Sequence, residues 1–144
     1  MSSRITFTLN HLVSALDAYA DELLTARWGL TISQFTFLTV LEESQPVDIT
    51  HMAECLRVTK AAVSKRVPGL VEKGYVRTVA DRANARRVLL TLTDEGQRLA
   101  HEVGDFLEEE FTRMFVGRDD LDLPRVHADM QLMLDTVLAK GHHA

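Results

Sequence analysis

The chain has 144 residues, 46% of them hydrophobic and 26% charged, with a net charge of −5. That size suits one domain with a real core, and no run of 18 apolar residues is present to span a membrane. A single cysteine excludes an intramolecular disulfide and a thiolate metal cluster, and the N-terminus MSSRITFTLN lacks a basic-plus-apolar signal pattern, so a cytoplasmic location is expected.

Apolar residues from Ile5 through Leu9, Leu12, Val13, Leu16, Ala20, Leu23 and Leu24 recur at helical spacing, predicting a first helix over residues 4–28. Phe7 and Tyr19 widen its apolar coverage beyond one stripe, which implies a second burial surface. Gly29 ends it. Thr31 or Ser33 opens a second helix with Phe35, Leu38, Val40 and Leu41 inward, and Pro46 breaks the chain after it. Asp48 is the N-cap of a short third helix, ITHMAECL, packing through Met52, Ala53 and Leu56.

A tight turn at Arg57 and Val58 leads to Thr59, the N-cap of a fourth helix closed by Gly74. At 100° per residue Val63, Val67, Leu70 and Val71 fall in one arc of about 100° and face inward. Ala61, Ser64, Lys65 and Pro68 lie opposite, flanked by Lys60 and Arg66, so the outer face is small and cationic. Small residues let a backbone sink into a groove, and alanine methyls can meet thymine methyls. Pro68 has no N–H for the carbonyl of Ser64 and should kink the helix downstream of that face. Two short strands, Val76–Ala80 and Arg87–Leu92, then flank a loop carrying Arg82, Arg86 and Arg87. Two helices joined by a tight turn, the second cationic, followed by a basic hairpin, make a winged helix-turn-helix.

The charge distribution agrees. Residues 57–87 hold nine Lys/Arg and two acids, net +7, while the rest of the chain is net −12. A basic stripe in an acidic body is an electrostatic footprint for phosphate, so the partner expected is double-stranded DNA.

Beyond the wing, Thr93 caps a long helix through Leu99, Val103, Phe106, Leu107, Phe111, Met114 and Phe115 to about Gly117. A last helix from about Pro124 to Lys140 carries Val126, Met130, Leu132, Met133, Leu134, Val137 and Leu138, again too widely spread for one stripe. The first and last helices therefore carry more apolar surface than a monomer of this size needs, and a two-fold homodimer follows as the expectation. The fold class expected is mainly α with a small β-hairpin wing. Dimerisation helices lie in 1–30 and 118–144, the winged helix-turn-helix in 31–93, and a linking helix in 94–117.

The run MAECLRVTKAAVSKRVPGLVEKGYV and the segment ADRANARRVLLTLTDEG resemble the helix-turn-helix and wing of the MarR family of bacterial transcriptional regulators, and the resemblance covers residues 5–140. It implies a homodimer bound to a palindromic operator, acting as a repressor and released by a small aromatic ligand or by cysteine oxidation. It implies DNA contacts from Arg57, Thr59, Lys60, Ala61, Ser64, Lys65, Arg66, Arg82, Arg86 and Arg87, with Ser64 and Lys65 at base edges. Arg86, held by Asp81, would enter the minor groove. Ala83 stands where the family's wing carries its middle arginine, so Arg82 or Arg87 is expected to substitute. Arg57 occupies the usual glycine of the turn, at a cost of roughly 1 kcal/mol if left-handed. An effector pocket would be lined by His11, Leu12, Ala15, Tyr19, Trp28, Phe35 and Leu38.

No nucleophile motif, phosphate loop or set-apart carboxylate pair is present, so no enzyme, cofactor or metal is expected. Cys55 reads as a buried small hydrophobe, and His51 with Cys55 lacks a third metal ligand. His101, Glu102, His142 and His143 read as solvated surface. Two other readings fit a winged helix: an architectural DNA-binding protein and a protein-interaction module.

Overall fold

A computed structural model describes residues 3–141 and places the elements close to their expected bounds; His142 and His143 lie outside the described residues. The order is α1 (Ile5–Trp28), α2 (Ile32–Ser44), β1 (Val47–Asp48), α3 (Ile49–Leu56), α4 (Lys60–Glu72), β2 (Val76–Asp81), β3 (Asn84–Leu92), α5 (Asp94–Met114) and α6 (Leu123–Gly141). Residues up to Leu107 form one compact unit and those from Glu108 a second, with the boundary inside α5.

In the first unit the core is built from α2, α3, α4 and the sheet. Phe37, Leu38, Leu41, Met52, Val63, Leu70 and Leu90 are fully buried in it. Phe37 is absent from the expected inward set of α2, and Val71, expected inward on α4, is 40% exposed. A second, smaller cluster sets Leu24, Leu30 and Val103 among Trp28, Phe35, Tyr75 and Leu107. Trp28 meets Phe106 edge-to-face at 5.1 Å, and the Arg27 guanidinium lies 4.6 Å over the indole.

The wing is part of a three-stranded antiparallel sheet in the order β1-β3-β2. The added strand, β1, pairs Val47 with Leu90 and Asp48 with Leu89. Two residues carry too little alternation to be read as a strand, so β1 escapes a sequence reading. The turn is also tighter than expected: β2 and β3 reach Asp81 and Asn84, leaving only Arg82 and Ala83 between them. The ladder is regular from Val76↔Leu92 to Ala80↔Val88, then shifts to Asp81↔Asn84.

Helix boundaries follow their caps. Thr31 and Gln34 form a reciprocal capping box, Asp48 Oδ1 accepts from His51 N at 2.8 Å, and Thr59 Oγ1 accepts from Ala62 N at 3.1 Å. The helix α4 continues through Pro68 to Glu72, and Gly74 follows with φ +82°, the left-handed conformation that a C′ glycine supplies.

In the second unit, α5 ends at Met114 and α6 follows without a buried residue. Leu132 is 66% exposed and Val137 61%. On α1, Ile5 is 67% exposed and Leu24 is the buried residue. Among the described residues no helix is long and apolar enough to cross a membrane.

Candidate nucleic-acid interface

The helix-turn-helix is α3 and α4 joined at Arg57. That residue stands at φ 56°, ψ 44°, the left-handed conformation that costs a non-glycine residue, with its N–H donating to the Ala53 and Glu54 carbonyls in the last turn of α3. Thr59 then starts α4. Its N-terminal half presents Lys60, Ala61, Ser64 and Lys65 to solvent, with Arg66 half-buried at the side and Val63 and Val67 beneath. Arg82 and Arg86 are exposed on the wing. Among the described residues no ion pair holds Arg57, Lys60, Lys65, Arg66, Arg82 or Arg86. The cations therefore stand uncompensated on one helix face and on the wing, as phosphate contacts require.

Arg87 differs. Its Nε donates to Asp48 Oδ2 at 2.7 Å, and Nη1 lies 3.8 Å from Asp81 Oδ2. Asp81, expected to hold Arg86, pairs with Arg87 instead. Its other oxygen accepts from Ala83 N at 2.9 Å and Asn84 Oδ1 accepts from Arg86 N at 3.2 Å, two local turns that close the wing tip. The turn is too short to bring Arg86 back over Asp81; Arg86 is a strand residue.

Asp48 collects the densest set of contacts. Besides Arg87 and the His51 amide, His51 Nδ1 lies 2.6 Å from Oδ1. The amide hydrogen bond from His51, reinforced by the His51 ring and the Arg87 charge, outweighs partial desolvation and holds the carboxyl down at about 2. A folded value below the ordinary 3.8 means that the ionised cap stabilises the fold above pH 4, and that this contribution is lost as pH falls from about 4 to 2. Urea-unfolding midpoints should accordingly drop less over that interval in Asp48→Asn than in the parent. Equal drops would show that the cap does not titrate with folding.

The helix-turn-helix is locked to α5 at one point. Thr93 Oγ1 donates to Gly74 O at 2.6 Å and accepts from Gly96 N at 3.0 Å, while Thr93 N donates to Tyr75 O at 3.1 Å. Lys73 Nζ donates to Gly29 O at 3.0 Å, tying the end of α4 to the end of α1. Apart from the Thr93–Gly96 cap, these partners are far apart in sequence, and no local pattern announces them.

The seven expected effector liners fall in three environments. Leu38 is fully buried in the helix-turn-helix core; Trp28 and Phe35 pack around the Leu24 cluster; His11, Leu12, Ala15 and Tyr19 lie on an exposed face of α1. A small cleft of about 130 Å³ is lined by Tyr75, Glu95, Arg98, Leu99 and Glu102, none of them in that set. Cys55 is exposed, not buried: it sits on the solvent side of α3 with Ser44 Oγ at 3.7 Å, because Met52, Ala53 and Leu56 take the core face. His101, on the outer side of α5, pairs with Glu42 of α2. Among the described residues no three His, Cys, Asp or Glu side chains gather as a metal site.

Comparison with known proteins places this geometry. The model of the MarR family matches residues 28–87, which contain both helix-turn-helix elements and the wing tip. The HTH-type transcriptional regulator YvnA of Bacillus subtilis is 30% identical over 107 residues, covering 72% of this chain and 68% of that protein. Among solved structures, BldR of Sulfolobus solfataricus superposes with a TM-score of 0.78 at 19% identity, covering 94% of this chain and 93% of its own. FabT of Streptococcus pneumoniae, solved in complex with DNA, gives 0.73 at 18% identity over 98% of both chains. The free cations on α4 and the wing and the match across residues 28–87 agree: the chain belongs to the MarR family of DNA-binding winged helix-turn-helix transcriptional regulators.

Proposed function

We propose that the protein is a repressor that binds a palindromic operator as a homodimer, with α4 in the major groove and the wing at the adjacent minor groove. The observation that carries this reading is the unpaired cationic face of Lys60, Lys65 and Arg66, with Arg82 and Arg86 beyond it, in a chain whose net charge is −5. Ser64 and Lys65 reach base edges, the Lys65 ammonium while also neutralising a flanking phosphate; Arg57 and Thr59 sit at the α4 start, where the helix dipole favours phosphate.

The dimer is supported by exposed apolar side chains on both terminal helices: Ile5, Phe7 and Val13 on α1, Leu132, Leu134 and Val137 on α6. Apolar surface of this kind, left open in one chain, favours a second copy as its cover. Such a cover over α1 would enclose His11, Leu12, Ala15 and Tyr19, and a small aromatic effector would enter there and shift the spacing of the two α4 helices.

The test combines sedimentation with selection. DNA fragments retained by the purified protein should share an inverted repeat with half-sites about 10 bp apart, protected at physiological salt. The protein should sediment as a dimer. A ladder of unrelated fragments would point to an architectural role, and no retained DNA to a protein-interaction module; either result defeats the proposal.

A further inference from the structure

The regular ladder of the wing stops at Ala80↔Val88, and Ala85, Arg86 and Arg87 have no register partner before Asp81↔Asn84. Beyond the shift only Asp81↔Asn84 pairs, so the regular ladder alone does not aim the tip. Arg87 is the first residue past the last regular pair, two residues along β3 from Leu89, the partner of Asp48 in β1. Its guanidinium reaches Asp48 Oδ2 at 2.7 Å and faces Asp81 Oδ2 at 3.8 Å. Asp48 and Asp81 are only 15% and 16% exposed, whereas the Arg87 side chain is 40% exposed. One carboxylate starts α3 and the other ends β2, so the cation joins three elements across 39 residues of sequence.

We propose that Arg87 is a positioning residue, not a phosphate ligand: by bridging Asp48 and Asp81 it fixes the wing against the start of α3 and so sets where Arg82 and Arg86 stand. Its charge is already met by two carboxylates. Taking a phosphate would strip Asp48 of a partner in a site where the carboxylate stays ionised and half-enclosed, which costs more than an exposed contact returns. This inference rests on the wing meeting DNA, and part of its test needs no DNA.

The experiment compares the parent with Arg87→Gln, Asp48→Asn and the double variant. Asparagine keeps the N-cap of α3, so α3 itself is preserved. Asp48→Asn removes an acid and frees Arg87; if Arg87 were a phosphate ligand, binding to an operator duplex should tighten. The clamp requires the reverse: about fivefold weaker binding in each single variant, and no further loss in the double. Amide exchange in the free protein should quicken at Ala83 and Arg86 in both single variants and stay unchanged in α4. Tighter or unchanged binding by Asp48→Asn overturns the proposal. So does unchanged wing exchange in Arg87→Gln, a variant that leaves the cap intact and decides the matter even if Asp48→Asn folds poorly. A parent that binds no duplex refutes the interface reading instead, and the exchange comparison still judges the clamp.

Discussion

Gly96→Ala is expected to lower stability by about 3 kcal/mol or more, the upper end for overpacking a tight site. A β-carbon there would lie 2.1 Å from the carbonyl oxygen of Tyr75 and 2.9 Å from its carbonyl carbon. Both are backbone atoms and cannot swing aside. Tyr75 is held on both sides, its N–H donating to Leu70 O at 3.0 Å and its carbonyl accepting from Thr93 N at 3.1 Å. Gly96 is held by its own N–H on Thr93 Oγ1 at 3.0 Å. Relieving the clash therefore breaks the cap of α5 or the closing turn of α4. The thermal midpoint should fall by roughly 10 °C for a chain of this length. Gly69→Ala is the control: the same change near the C-terminal end of α4, where an added β-carbon meets no side chain or other element within 4 Å, should stabilise by about 0.5–1 kcal/mol. If both substitutions shift the midpoint alike, the Tyr75–Gly96 approach is not what holds α5 to the helix-turn-helix.

The contrast between those two glycines shows which parts of the molecule could be read before folding. Elements announced by their own residues are legible: Asp48, Thr59 and Thr93 cap helices because short polar side chains satisfy the first free amides, and each stands where it was expected. The outer face of α4 is legible for the same reason, since helical periodicity alone separates Ser64 and Lys65 from Val63 and Val67. What depends on partners distant in sequence is not legible. Arg86 and Arg87 are adjacent, equally basic residues, and only Asp48, brought alongside by a two-residue strand, distinguishes them. Phe37 and Val71 fail in opposite directions: α2 is covered on more than one side, while the C-terminal end of α4 is not covered as far round as its pattern allows. Residue type alone does not single out effector liners either, since aromatic residues serve a core as readily as a ligand. Trp28 and Phe35 went to the core.

Replacing Lys60, Lys65 and Arg66 together by alanine is expected to reduce DNA affinity by on the order of 10⁴ at physiological salt while leaving the fold intact. None of the three is buried or ion-paired, and alanine is the best helix former, so α4 should persist. In a homodimer the change removes six cations from the interface. Each neutralised phosphate contributes about −0.9 to the slope of log affinity against log salt, so the slope should become shallower by about 5. Extrapolated towards 1 M salt, where counterion release no longer drives association, parent and variant should converge; that convergence yields the expected factor. Loss of shape would behave otherwise, lowering affinity by a similar factor at every salt concentration. Circular dichroism and the unfolding midpoint should match the parent. A variant that binds within tenfold of the parent at physiological salt would show that α4 is not the surface that meets the phosphates, and the wing or another face would have to take its place.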